Sequence, residues 1–137
     1  MLFRSRPDVA RLAAVTGATG FVGPHLVAAL ARHGWTLRLL IRRWTPLPSL
    51  PGVEADIVWG DLADEASLKR LVDGADAVVH AAGLIKARRS AEFDAVNRDG
   101  TARLSALAPD VPFLLLSSLA AHLQLAVLVA RDRKSVV

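Results

Sequence analysis

Apolar residues in this 137-residue chain occur in short runs that are separated by stretches with helical spacing. Five short apolar runs are typical of strands buried on both faces of a sheet. They cover residues 10–15, 36–41, 55–59, 75–80 and 112–116. Three stretches between them repeat apolar residues every three or four positions, which predicts helices. They cover residues 26–31, 61–74 and 91–107.

This alternation of strands and helices predicts a parallel sheet with helices on both faces. Strands connected through helices run parallel, because right-handed crossovers place the helices on each side of the sheet. The fold class is therefore α/β, a Rossmann-type doubly wound parallel sheet that ends after the fifth strand. We expect this domain to occupy residues 1–121.

Three glycines spaced three apart link the first strand to the first helix. Gly17 allows a tight turn, Gly20 removes a side chain that would keep backbone amides from a phosphate, and Gly23 allows the helix to pack closely on the sheet. The N-terminus of the helix then presents free N–H groups to an anion. The alternative is an ordinary turn, which the strand-to-helix context disfavours. The run therefore predicts a pyrophosphate site.

Polar or small residues follow every predicted strand, at the edge where open parallel sheets bind ligands. These segments are Thr16–Val22, Arg42 and Arg43, Gly60–Leu62, Ala81–Gly83, and Ser117 and Ser118.

Arg42 and Arg43 indicate which dinucleotide is preferred. An acid at the end of the second strand would bond ribose hydroxyls, whereas a cation there neutralises a 2′-phosphate. We therefore predict NADP, with NAD as the other candidate, and solvated loop arginines as the alternative reading. Asp61 is expected either to accept a hydrogen bond from the adenine amino group or to cap the following helix. Small side chains at Ala81–Gly83 leave room for a ribose.

Composition excludes several classes of site. The chain has no cysteine, so disulfides and thiolate chemistry are excluded, and its four histidines lack paired ligand spacing, so no metal site is predicted. The net charge of +4 comes from dispersed arginines without interleaved aromatics, which favours surface charge over nucleic-acid binding. No apolar run is long enough for a membrane span and no signal peptide is evident, so we expect a cytoplasmic protein without a membrane partner.

Five ordered motifs resemble the extended or atypical branch of the short-chain dehydrogenase/reductase superfamily, which includes NAD-dependent epimerases and dehydratases. They are Thr16–Gly23, Gly60–Leu62, Val78–Gly83, Val96–Thr101 and Ser117–Ser118. The resemblance runs from about Leu12 to Ala121.

The resemblance implies a role for each matching residue. In the glycine loop it implies pyrophosphate binding by Gly17, Thr19, Gly20, Phe21, Val22 and Gly23. It implies adenine contacts for Asp61 and Leu62, and a nicotinamide-side ribose site at Ala81, Ala82 and Gly83. Asn97 resembles the asparagine that shapes the site and supports its water network. Ser118, with Ser117 as second choice, resembles the serine that polarises the substrate.

The resemblance implies an oxidoreductase or epimerase/dehydratase that transfers a hydride to or from a small carbonyl or alcohol substrate. The family's acid/base is a tyrosine in Tyr-x-x-x-Lys, but this chain contains no tyrosine. His122 lacks a supporting motif and is a poor replacement. We therefore expect the chain as given to be inactive. The alternative is a non-catalytic dinucleotide-binding module, such as a redox sensor or an assembly subunit.

Residues 122–137 depart from the pattern. One hypothesis is that the chain is truncated and that this tail is not native sequence; the alternative is a genuine divergent terminus. The apolar segment Leu123–Ala130 is expected to add a helix or a strand to the sheet. An uncovered fifth strand would present an open edge, so self-association is expected.

Overall fold

The computed structural model describes residues 10–82, 98–116 and 127–130. The strands of this part are β1 (Leu12–Thr16), β2 (Thr36–Ile41), β3 (Ala55–Trp59), β4 (Ala77–His80), β5 (Phe113–Leu116) and β6 (Val127–Ala130). The helices are α1 (Gly23–Arg32), α2 (Glu65–Val72) and α3 (Gly100–Leu107).

The strands form one sheet in the order β3-β2-β1-β4-β5-β6. The first five strands pair in parallel, which confirms the predicted doubly wound sheet. The chain moves outward from β1 to β3 on one side and then returns to β4 on the other side of β1. This reversal creates a crevice beyond the carboxyl ends of β1 and β4, where ligands bind in sheets of this kind.

The tail contributes β6, which pairs antiparallel with β5. Of the two forms expected for Leu123–Ala130, the structure therefore contains a strand at its end. Because β6 hydrogen-bonds to β5, the edge of β5 that we expected to be open is paired over these residues.

One predicted helix is longer than the observed one, and another lies partly outside the described residues. The predicted helix 61–74 is too long, because α2 begins only at Glu65. A turn precedes it, in which the Asp64 N–H bonds the Asp61 carbonyl at 3.0 Å. Within the predicted helix 91–107, the structure describes α3 and a π-helical turn at residues 98–99 that precedes it. Residues 91–97 lie outside the described residues.

The core consists of two apolar layers, one on each face of the sheet. Alternate residues of β1 point to opposite faces, so Ala13 and Val15 belong to the layer under α1 and Ala14 to the layer under α2 and α3. Leu68, Leu71 and Leu104 are fully buried in the second layer. This packing explains why the strand sequences are apolar throughout instead of alternating. No helix in the described part of the chain is long and apolar enough to cross a membrane.

Candidate functional site

Four strand ends meet around one cleft, as the sequence predicts for this edge of the sheet. The cleft has a volume of about 220 Å³. It is lined by Thr16, Gly17, Thr19, Gly20, Leu40, Arg42, Asp61, Leu62, Ala81 and Ala82. Eight of the predicted cofactor-binding residues are in this set. Thr16 begins the first motif but has no predicted binding role, and Leu40 lies outside the motifs.

Gly17 meets two requirements that a larger residue cannot meet. Its φ of +80° lies in the left-handed region, which favours glycine. A Cβ at this position would also lie 2.5 Å from the Ala81 carbonyl carbon and 2.6 Å from the Ala82 nitrogen. The turn is closed by the Gly20 N–H, which donates to the Gly17 carbonyl at 3.1 Å. Gly17 therefore both turns the chain and lets β1 and β4 end close together.

The other two glycines differ in what surrounds them. A Cβ added to Gly20 would meet only the Gly17 carbonyl oxygen, at 3.4 Å, so this side of the loop is open. A Cβ added to Gly23 would collide with the Gly17 oxygen and the Ala18 backbone. The predicted reason for Gly23, close packing of the helix on the sheet, therefore needs correction: the contact is between the helix and its own loop.

The N-terminus of α1 is left available to an anion. Its first residue follows Val22, which provides no side-chain cap, and the first turn contains no acidic residue. The N–H groups of this turn therefore keep their partial positive charge on the loop side. Phe21 is 91% exposed, and neither Phe21 nor Val22 lines the cleft.

Arg42 lines the cleft and also an adjoining one at the ends of β2 and β3. The adjoining cleft is lined by Arg42, Arg43, Gly60, Asp61 and Asp64. Within the described residues, neither arginine side chain forms an ion pair or a hydrogen bond, although the Arg42 carbonyl accepts the Thr45 N–H at 3.1 Å.

The carboxylates of the two aspartates in this second cleft each accept a hydrogen bond from a backbone N–H. The Ala63 N–H donates to Asp61 Oδ1 at 2.8 Å, and the Ala66 N–H donates to Asp64 Oδ1 at 3.1 Å. Asp64 is therefore the residue that caps α2. This decides one of the two roles left open for Asp61: it does not cap the helix.

His80 joins three segments of the site from beneath. Its ring is fully buried, with Nδ1 2.6 Å from Thr16 Oγ1 and Nε2 2.9 Å from Thr101 Oγ1. The Ala82 N–H donates to the same Thr16 oxygen at 3.1 Å. Burial lowers the pKa of His80 from 6.5 to about 4, so the imidazole is neutral at physiological pH. The network links the start of the glycine loop, the end of β4 and the first turn of α3.

Sequence reasoning placed His80 among the packing or surface histidines and did not anticipate this network. The available signal was a polar residue at the carboxyl end of β1 and another at that of β4, in strands that are otherwise apolar.

Four predicted site residues lie outside the described part of the chain. They are Gly83, Asn97, Ser117 and Ser118. Their roles stay predictions. Within the described ranges, no group of three or more histidine, aspartate or glutamate side chains is placed to hold a metal ion.

Residues 13–121 match the model of the NAD dependent epimerase/dehydratase family. The chain belongs to this family. The resemblance that the five motifs indicate is thereby confirmed at the level of the superfamily. Its relatives and structural neighbours include a ceramide reductase, a uronate dehydrogenase and an epimerase.

Two curated relatives illustrate the similarity. The ceramide reductase of Caulobacter vibrioides is 47% identical over 117 residues, which cover 84% of this chain and 37% of that protein. The sterol demethylase protein B of Methylococcus capsulatus is 38% identical over 93 residues, or 66% of this chain and 28% of that protein. The chain thus spans about a third of the length of these relatives.

Solved structures share the fold over a similar range. A mutant of the uronate dehydrogenase of Agrobacterium tumefaciens, complexed with NAD, is 27% identical with a TM-score of 0.67, and the match covers 80% of this chain and 42% of that one. A short-chain dehydrogenase/reductase superfamily protein from the same organism, with bound NAD, is 33% identical with a TM-score of 0.64 and coverage of 80% and 33%.

Proposed function

We propose that this chain forms the dinucleotide-binding part of an oxidoreductase or epimerase/dehydratase that acts by hydride transfer on a small carbonyl or alcohol substrate. The observation that supports this most is the cradle at the end of β1. There, Gly17 has a left-handed φ and no room for a side chain, and Gly20 faces open space. A loop whose first glycine position admits only glycine and whose second glycine position stays open, beside an uncapped helix N-terminus, fits a pyrophosphate.

In this proposal, different residues of the cleft contact different parts of the dinucleotide. Gly17, Thr19 and Gly20 hold the pyrophosphate through backbone amides, and Asp61 and Leu62 contact the adenine. Ala81 and Ala82 provide the small surface against which a ribose fits, together with Gly83 as a predicted neighbour. A bound dinucleotide supplies the hydride acceptor or donor.

We further propose that NADP is preferred over NAD. Arg42 and Arg43 share a cleft with Asp61 and Asp64 but form no direct ion pair among the described residues, so both guanidinium groups remain available to a 2′-phosphate. The two structural neighbours described above bind NAD, so they support dinucleotide binding by this fold, and the preference for NADP rests on the two arginines alone.

Binding assays with Arg42→Ala test this preference. We expect the unmodified chain to bind NADPH more tightly than NADH, and the variant to lose about tenfold in NADPH affinity with little change for NADH. Arg32→Ala, at the far end of α1, is the matched control for loss of one surface arginine. A preference of the unmodified chain for NADH, or an equal loss for both dinucleotides, would refute the proposal.

Substrate chemistry depends on residues beyond the described site. We propose that Ser118, with Ser117 as second choice, polarises the substrate oxygen and that Asn97 shapes the site around it. Identity of 47% to a ceramide reductase supports a ceramide-type lipid bearing a carbonyl as the first substrate to test. The test uses a longer protein that contains this chain and has the full length of the relatives. It is mixed with NADPH and the candidate substrate, and the loss of absorbance of the reduced nicotinamide is measured.

A second candidate is a non-catalytic dinucleotide-binding module, because the glycine loop and the cleft beside it would serve binding alone equally well. Both candidates predict binding, and only the first predicts turnover. If this chain binds NADPH without turnover, and the longer protein that contains it reduces a substrate, the first candidate holds. If neither protein turns over any carbonyl substrate while both bind, the second holds.

A further inference from the structure

Ser67 is a fully buried polar residue in the first turn of α2, directly below the segment 60–64 that connects β3 to α2. The Asp61 N–H lies 3.2 Å from Ser67 Oγ, and the carbonyl oxygens of Asp64 and Asp61 lie 2.8 and 3.2 Å from it. A hydroxyl donates one hydrogen, so the shorter contact identifies the Asp64 carbonyl as its principal acceptor. Ser67 therefore accepts from one end of the segment and donates to the other.

Gly60 shows how closely the segment lies on this serine. A Cβ added at Gly60 would overlap both Cβ and Oγ of Ser67. Any residue larger than glycine would lift the segment away from the hydroxyl and lengthen its hydrogen bonds. Gly60 and Ser67 thus form one complementary contact.

Leu62, next in the segment, is held from another helix. Arg103 donates to the Leu62 carbonyl, and a Cβ at Gly100 would lie 3.1 Å from Leu62 Cβ. Asp61 is held at three points: its N–H donates to Ser67 Oγ, its carbonyl accepts the Asp64 N–H, and its Oδ1 accepts the Ala63 N–H. Within the described residues the Ser67 hydroxyl is the only partner of the Asp61 N–H, so the serine supplies the anchor on the β3 side of this residue.

Asp61 has a side chain that the fold does not use to cap α2. Asp64 caps that helix, and Asp61 lines both clefts while its Oδ1 accepts the Ala63 N–H. A carboxylate at the edge of a nucleotide cleft is an acceptor for an exocyclic amino group.

We infer that Ser67 is a positioning residue for purine recognition: it fixes the Asp61 backbone so that the Asp61 carboxylate accepts a hydrogen bond from the 6-amino group of adenine. This inference rests on the proposed dinucleotide binding. Ser67 does not itself contact the ligand, so it acts only through Asp61.

Two dinucleotides that differ only at the purine provide the test. Deamino-NADH carries an oxygen where NADH carries the 6-amino group. We expect the chain to bind NADH about tenfold more tightly than deamino-NADH, which corresponds to one hydrogen bond to a charged group. In Ser67→Ala we expect this ratio to fall to about twofold, because the carboxylate is no longer held in place. A purely structural role for the serine would weaken both ligands equally and preserve the ratio.

Ser105→Ala is the matched control, since the Ser105 hydroxyl also bonds a helical carbonyl but lies on α3, away from the segment. Its ratio should equal that of the unmodified chain. Gly60→Ala perturbs the same contact from the other side and should reduce the ratio as Ser67→Ala does. If Ser67→Ala does not fold, Ser67→Cys keeps a side chain of similar shape with weaker hydrogen bonding and takes its place.

The outcomes separate the inference from the proposal on which it rests. If the unmodified chain binds neither dinucleotide, the proposed function fails and the inference fails with it. If it binds both equally, or if it prefers NADH and the variants keep that preference, the inference is overturned while dinucleotide binding stands.

Discussion

Acidification tests the buried His80 network directly. The folded chain holds the imidazole neutral, because burial disfavours its charged form; the two ring nitrogens lie 2.6 and 2.9 Å from the hydroxyl oxygens of Thr16 and Thr101. The unfolded chain protonates this residue at its ordinary pKa. Because burial lowers the pKa in the folded state, His80 stabilises the fold fully above pH 6.5, and this stabilisation is lost as the pH falls towards 4.

The magnitude follows from the two pKa values. A difference from 6.5 to about 4 corresponds in full to about 3 kcal/mol of unfolding free energy. Between pH 7.5 and pH 5, most of that window is crossed, and the expected loss from His80 is about 2 kcal/mol.

Urea unfolding at these two pH values measures the loss, with His80→Asn as the non-titrating comparison. Asparagine keeps a polar group near the position of Nδ1, so the bond to Thr16 has a substitute. Carboxylates contribute to acid sensitivity in both proteins, and the difference between their two pH dependences isolates His80. We expect the unmodified chain to lose about 2 kcal/mol more than the variant.

His25→Asn is the control for removing a histidine, because His25 is exposed on α1 and its side chain forms no hydrogen bond within the described residues. It should keep the pH dependence of the unmodified chain. Equal acid sensitivity of the unmodified chain and His80→Asn would refute the reasoning, since it would mean that His80 takes up a proton as readily in the folded chain as in the unfolded one.

Two further substitutions test the backbone of the site. Gly17→Ala is expected to lower dinucleotide affinity at least a hundredfold in titrations, because its Cβ would collide with the backbone at Ala81 and Ala82. The control is Gly52→Ala, since Gly52 has a similar φ of +72° but open space around it. It should cost about 1 kcal/mol of stability and leave affinity intact, and equal affinity of both variants would contradict the collision. Trp44→Gly is expected to raise the free energy of unfolding by about 1 kcal/mol in urea titrations. The φ of +68° is strained for tryptophan and not for glycine, and the side chain is 98% exposed, so its removal costs little packing. An unchanged or lower free energy of unfolding would show that the turn is not strained.

Local chemistry explains which parts of the fold were predictable. The turn at Gly17 and the stop at Gly34 depend on backbone conformations that few residues other than glycine adopt, so they are visible in the sequence. The start of α2 could not be predicted in this way, because Leu62 fits the apolar spacing of the helix although it precedes α2. In the structure, Leu62 is buried against Gly100 of α3 and belongs to the turn before α2. Apolar spacing records burial but does not identify the partner.

The His80 network shows a second limit of the same kind. Thr16 and His80 are 64 positions apart and become neighbours only through the parallel register of β1 and β4. Thr101 joins them from a helix. The sequence displays a polar residue at each of these ends, but the register that pairs them is a property of the assembled sheet.

The assignment of Asp61 required structure for a more local reason. Asp61 and Asp64 both precede α2, and either one is a suitable cap by residue type. Once Asp64 takes that role, the adenosine end of the proposed binding mode has two separate determinants: the arginine pair after β2 and the carboxylate after β3. In our proposals the arginines bind the 2′-phosphate and the carboxylate binds the purine. Substitution of Arg42 should therefore change the ratio of NADPH to NADH affinity, whereas substitution of Ser67 should change the ratio of NADH to deamino-NADH affinity, and in the double variant the two effects should add.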